Sequence, residues 1–202
     1  MRYLFYASLL LIVASPALAD STPFATEGLP PEAPLDGTFI TVDVSTNKAY
    51  FWRDGQLVDS ASVATGMDKL LKKGNRTWLF RTPRGRHQVV RKVVNPVWRK
   101  PDWAFVEEGK RIPPPDSPLR LEPGKLGKYA LDLGDGIMIH GTRETKSFGT
   151  KASHGCIRMP AKMLERVFRE TEVGMDVYIF DSKPVAPLST GGLNDLDFAV
   201  GR

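Results

Sequence analysis

The chain has 202 residues, 42% of them hydrophobic and including ten Phe, four Trp and five Tyr, which is enough apolar material for one packed domain with tails. Its 28 Lys and Arg against 23 Asp and Glu give a formal net charge of +5. The two signs are interspersed and no basic block forms, so no nucleic-acid partner is expected; a mild positive balance suits residence beside an anionic envelope polymer.

At the N-terminus, Arg2 supplies a positive start, Leu4 to Ala14 is an apolar run, and Ala17-Leu18-Ala19 is a small-residue cleavage pattern before Asp20. That is the layout of a secretory signal peptide over residues 1–19. The apolar run falls well short of the roughly 20 residues a spanning helix needs and Pro16 interrupts it, so no stable membrane insertion is expected after cleavage. Residues 20–36 are rich in Pro, Ser, Thr and acidic side chains without periodicity and read as a flexible linker. The domain is expected to begin at Gly37. From Thr38, Phe39, Thr41 and Asp43 alternate with Ile40, Val42 and Val44, and Lys48 to Trp52 and Gln56 to Val63 flank Asp54-Gly55, a hairpin signal. Residues 66–79 read as a short helix or an inserted loop before a turn at Thr82-Pro83-Arg84-Gly85. Gln88 to Val94 reads as one strand stopped by Asn95-Pro96. Residues 97–127, proline-rich and carrying Trp98 and Trp103, read as a long irregular excursion, the kind of segment that forms a lid or binding loop. Tyr129 to Leu133 and Gly136 to His140 read as two strands around Gly134-Asp135-Gly136. Pro160 opens a helix with Met163, Leu164, Val167 and Phe168 on one stripe, closed by Gly174. Met175 to Phe180 is a last strand, the domain ends at Asp181, and residues 182–202 read as a disordered C-terminal tail.

Cys156 is the only cysteine, and an exported protein favours paired cysteines, so a lone one needs a reason. Its neighbours supply one. His140-Gly141-Thr142 and Ser153-His154-Gly155-Cys156-Ile157-Arg158-Met159 place two of the three histidines and the cysteine within a short span. An imidazole that accepts the thiol proton makes a nucleophile, and the resulting cation lowers a free-thiol pKa of about 8.5. His154 shares the turn of the cysteine, whereas His140, at the end of an apolar strand, can approach from across the site. A carbonyl, Thr142 or Asp132 could hold the second ring nitrogen of His140. Gly155 allows a sharp turn whose amides could meet an oxyanion, and Arg158 suits a substrate carboxylate. His140, His154 and Cys156 could alternatively ligate zinc, but their spacing follows no metal pattern and no metal is expected. The third histidine, His87, reads as a surface residue.

These two motifs resemble the signature of the YkuD-type L,D-transpeptidase catalytic domain. The resemblance continues upstream through Thr82-Pro83-Arg84-Gly85, Asn95-Pro96-Val97-Trp98 with Pro101, and Leu126-Gly127-Lys128-Tyr129-Ala130-Leu131, and covers residues 37–181. It implies a mainly β fold, a β-sandwich or barrel-like core with one short helix after the cysteine. It also implies Cys156 as nucleophile, His140 as proton acceptor and donor, and Ser153, His154, Gly155, Arg158, Gly141 and Thr142 as residues shaping the site or binding substrate. The implied reaction forms an acyl-enzyme from a donor stem tetrapeptide of peptidoglycan and passes it to an amine, of a second stem peptide or an envelope protein, without cofactor. The implied location is the periplasm or cell-wall space. A hydrolase of the same family, trimming stem peptides or cleaving wall-linked protein, is the alternative, and a non-catalytic wall-binding protein the second. The longer link over 66–81 and the segment before Leu126 depart from the family pattern.

Overall fold

A computed structural model describes residues 27–183. The expected signal peptide, the first part of the linker and residues 184–202 of the expected tail lie outside the described residues. Alternation from Thr38 gives strand β1 (Thr38–Asp43), and the expected hairpin follows as β2 (Lys48–Arg53) and β3 (Gln56–Ser62). Asp54 and Gly55 turn it with φ of 47° and 72°. Ile40, Val42, Ala49 and Phe51 enter the main core, while Phe39, Tyr50 and Trp52 form a second cluster on the opposite face. Residues 27–36 cover that second face without forming helix or strand: Leu29 and Ala33 pack on it, and Thr41 Oγ1 donates to the Gly28 carbonyl at 2.5 Å. This covering is why β1 is buried on both sides.

After β4 (Thr65–Gly66), residues 66–79 are neither helix nor loop. β5 (Lys69–Lys73) and β6 (Arg76–Phe80) pair antiparallel along their whole length, from Lys69 opposite Phe80 to Lys73 opposite Arg76. The single strand expected over Gln88 to Val94 is broken into β7 (Gly85–Gln88) and β8 (Arg91–Val94). Between them the chain changes sheets: the Val89 amide donates to the Met175 carbonyl at 2.9 Å and the Val90 amide to that of Asp132 at 2.8 Å.

The excursion over 97–127 is more regular than expected. It contains β9 (Val97–Arg99), the short helix α1 (Asp102–Glu107) and β10 (Leu121–Pro123), with β9 and β10 antiparallel. A buried cation organises it. Arg120 donates to the carbonyls of Lys100 at 3.0 Å, Pro114 at 2.9 Å and Pro113 at 2.7 Å, and to the Asp102 carboxylate at 2.6 Å. Its guanidinium and the Lys100 ammonium both lie over Phe105, at 5.3 and 4.8 Å. Polar anchoring of this kind leaves no apolar periodicity in the sequence, which is why the segment reads as irregular.

β11 (Tyr129–Asp132) and β12 (Met138–His140) form the second expected hairpin, followed by β13 (Lys151–Ser153) and β14 (Ile157–Arg158). Helix α2 (Ala161–Glu170) follows Pro160 and buries Met163, Leu164 and Val167. It ends at Glu170, before the expected Gly174, where Thr171 Oγ1 donates to the Val167 carbonyl at 2.6 Å. The last strand, β15 (Asp176–Phe180), runs parallel to β1 and antiparallel to β7. The main sheets are β3-β2-β1-β15-β7 and β14-β12-β11-β8. They share one core with α2. The fold is mainly β, as expected, but the sheets stay open and form no barrel, and α1 is a helix beyond the one anticipated.

At the end of β1, Asp43 accepts hydrogen bonds from Ser45, Thr46 and Ser182, tying the last described residues to the first strand. Burial would raise the Asp43 pKa, but these donors outweigh it and hold the carboxyl at about 2, below its ordinary 3.8. A depressed carboxyl contributes stability above its unfolded pKa, and that contribution is lost as pH falls from about 4 toward about 2. Asp43→Ala is therefore expected to lose about 2 kcal/mol in urea unfolding at pH 7 and appreciably less near pH 2.5. An equal loss at both pH values would show that the carboxylate charge is not what stabilises this corner.

Candidate active site

Parallel pairing of β12 with β14 puts Ile139 beside Ile157 and His140 beside Arg158. His140 thus ends one strand while Cys156 immediately precedes its neighbour, and both line one cavity of about 870 Å³ with Arg158, Trp98, Trp103 and Glu144. The cysteine loop is fastened from three sides. The Ser153 hydroxyl accepts from the Gly155 amide at 3.1 Å and donates to the Cys156 carbonyl. The Ser153 carbonyl accepts from the Met67 amide at 2.9 Å. Thr82 Oγ1 donates to the Gly155 carbonyl at 2.8 Å while accepting from the Gly66 amide at 2.8 Å. Gly155 has φ 132°, and a Cβ there would meet the Arg81 carbonyl and Ile137 Cδ1, each at 3.3 Å, so both backbone and space demand glycine. Since the Gly155 amide is given to Ser153, it is not one of the donors anticipated for an oxyanion.

His140 is only 6% exposed. Its Nδ1 lies 2.5 Å from the Gly141 carbonyl, so Nδ1 carries the proton and Nε2 is left as the acceptor in the neutral ring. Of the three orienting groups anticipated, a carbonyl fills the role. Thr142 Oγ1 instead accepts from the Glu144 amide at 3.0 Å, and Asp132 pairs with Arg91 at 2.8 Å. Gly141 packs against Gly127: a Cβ on Gly127 would come within 2.8 Å of the Gly141 Cα. Burial pushes the His140 pKa down to about 4, more than the Gly141 hydrogen bond raises it. Burial likewise pushes the Cys156 thiol up, opposed by a backbone hydrogen bond at Met138 and the charge of Arg158. The lowered thiol pKa expected from a histidine neighbour is thus not seen. The half-buried Sγ is turned to the Gly136 carbonyl, 3.5 Å away, and no hydrogen bond joins it to His140. Both shifts favour the uncharged forms, imidazole and thiol, near neutral pH.

His154 faces a different neighbourhood. Its ring stacks on Trp103 with centroids 3.9 Å apart and meets Phe80 edge-on at 4.5 Å. Its Nε2 lies 2.8 Å from Glu107 Oε2, and burial lowers its pKa against the raising effect of that carboxylate. His154 thereby joins the cysteine loop to β6 and α1. Among the described residues, no group of three His, Cys, Asp or Glu side chains is arranged to hold a metal ion. His87 is not simply a surface residue, since its Nε2 is buried without a partner among the described residues.

The loop carrying the cysteine, the strand carrying the histidine and the upstream Thr82 and Gly127 contacts all fall inside residues 37–179, which match the family model of the L,D-transpeptidase catalytic domain (YkuD). The chain belongs to the L,D-transpeptidase catalytic domain family. YqjB of Bacillus subtilis is 33% identical over 152 residues, covering 74% of this chain and 76% of its own. ErfK/SrfK of Salmonella typhimurium is 28% identical over 154 residues, covering 72% of this chain but 45% of its own, and a Fuscovulum blasticum relative at 33% identity is covered over 50% of its length. The chain thus spans about half the length of some curated relatives it matches. Among solved structures, an L,D-transpeptidase of Xylanimonas cellulosilytica shares the fold with a TM-score of 0.55 and 17% identity, over 73% of this chain and 62% of that one. A mutant Enterococcus faecium L,D-transpeptidase does so with a TM-score of 0.52 and 20% identity, over 72% and 50%.

In this L,D-transpeptidase domain, sequence reasoning missed Thr82, Glu107 and Glu144. Thr82 sits in a stretch read as a turn and as part of the family resemblance, with no role given to its hydroxyl, which clamps Gly155. Arg158, anticipated as a clamp for a substrate carboxylate, holds the chain's own Glu144 at 2.6 Å.

Proposed function

We propose that the protein is an exported L,D-transpeptidase that forms a thioester on Cys156 from a peptidoglycan stem tetrapeptide and transfers it to an amine. The observation that carries this reading is the fixed tautomer of His140, whose unprotonated Nε2 belongs to a ring lining the same cavity as the thiol. In the first step, the Cys156 sulfur bonds to the carbonyl carbon of diaminopimelate and His140 takes the thiol proton. The amide bond to the terminal D-Ala then breaks, and the D-Ala nitrogen leaves with that proton. In the second step an amine from another stem peptide or an envelope protein attacks the thioester, giving its proton to His140, which returns it to the departing sulfur. Ser153, Gly155 and Thr142 shape the loops, Gly141 orients His140, and Arg158 faces the substrate. The pattern over residues 1–19 supports export to the periplasm or wall space. Among the described residues, no helix is long and apolar enough to cross a membrane.

Purified protein incubated with defined muropeptides and read by mass spectrometry tests this reading. Crosslinked dimers with release of D-Ala are expected. Shortened monomers alone would assign water as the acceptor and make the enzyme a carboxypeptidase, and unchanged muropeptides would remove the proposal.

A further inference from the structure

The Arg158 guanidinium stands on the wall of the catalytic cavity with its side chain only 14% exposed. A cation so enclosed needs a carboxylate, and leaving it unpaired is costly. Its partner is the Glu144 side chain, which is 51% exposed and follows β12 on the loop leading to β13. One Glu144 oxygen lies 2.6 Å from Arg158 Nη1 and the other 3.2 Å from the Lys125 ammonium. The two cations hold Glu144 unequally. Lys125 is 45% exposed and its bond is longer, so it supplies a weak, solvent-screened contact, whereas Arg158 supplies the enclosed one.

We propose that Glu144 is a resident stand-in for a carboxylate of the donor peptide and sets how strongly the site prefers one. An arriving carboxylate takes Arg158, and Glu144 keeps Lys125 as its counter-ion, so the exchange leaves neither a bare guanidinium nor a bare carboxylate. The cavity wall also carries Arg81, Arg91, Arg99 and Lys125, but Arg158 is the cation paired in register with His140 and two residues from Cys156, so it is the one beside the reacting atoms for which such a ligand competes. This inference rests on the reading of the cavity as a stem-peptide site. A stem tetrapeptide carries two carboxylates near the scissile amide, that of the terminal D-Ala and the free one of diaminopimelate, and amidating each in turn identifies the one that exchanges.

Calorimetric binding to the Cys156→Ala protein, where no turnover intervenes, compares the free tetrapeptide with its two singly amidated forms, alone and with Glu144→Gln or Arg158→Gln added. Glu144→Gln is expected to tighten binding of the free tetrapeptide roughly three- to tenfold and to leave one amidated form unchanged. Arg158→Gln is expected to weaken the free tetrapeptide to the level of that amidated form. Unchanged or weaker binding in Glu144→Gln, with the peptides still bound, would mean that Glu144 only braces Arg158 and would overturn the proposal alone. Failure of every peptide to bind any of the proteins would overturn the stem-peptide reading and this inference with it.

Discussion

Cys156→Ala is expected to abolish transpeptidation, lowering turnover by at least about a thousandfold, while leaving the thermal midpoint within a few degrees of the parent. The change removes one sulfur from a half-buried position where the thiol meets only backbone groups, the Gly136 carbonyl at 3.5 Å among them. The neighbouring Ser153 hydroxyl cannot substitute, because its Oγ is committed to the Cys156 carbonyl and the Gly155 amide. A carbapenem should add one acyl group to the parent protein by intact mass and none to the variant, and a chelator should leave activity unchanged. Turnover that persists in Cys156→Ala, or that stops with chelator, would remove the thiol from the mechanism.

His140→Ala is expected to lower kcat by about 10² to 10⁴ with a small change in KM, because it deletes the group proposed to take and return the proton. His154→Ala should retain far more activity, its ring being occupied by Trp103, Phe80 and Glu107. The pH profile of kcat/KM provides a separate readout. Because burial holds His140 at about 4 instead of 6.5, its ring is neutral and able to accept a proton well below neutrality. The acid limb should therefore lie near that lower value, and a limb near the ordinary histidine pKa would contradict the buried tautomer. The same group makes the fold acid-sensitive: the unfolded chain binds a proton at His140 from 6.5 downward while the folded one resists until about 4, so stability falls with pH across that window. Equal loss at His154 with tolerance at His140 would reverse the assignment of the base.

What the sequence made legible was local. Alternation exposed β1, β2, β3 and β15, the Asp54-Gly55 pair exposed the first hairpin, and Cys156 and His140 stood out by residue chemistry. What it hid depended on distant partners. Leu70, Leu71, Lys72 and Lys73 have the look of a helix segment, and they become a strand because β6 pairs with them and anchors Phe80 against Trp103 and His154. The break at Val89 could not be foreseen, since the Val89 amide answers to the Met175 carbonyl just before β15 and the Val90 amide to that of Asp132 in β11. Glu144 was invisible because its partner is chosen by the β12–β14 register, which no run of residues around Glu144 encodes.

The parallel pairing of β15 with β1 has a consequence for how the molecule acquires its shape. The strand between β1 and β7 comes last in the domain, so the larger sheet has a gap in its middle until residues 176–180 arrive. No N-terminal fragment can close that sheet ahead of the rest, and the first strand waits for a partner from the far end of the chain. Long-range closure of this kind slows folding. An emerging chain would therefore keep β1 unpaired on that side until the last strand of the domain has been made.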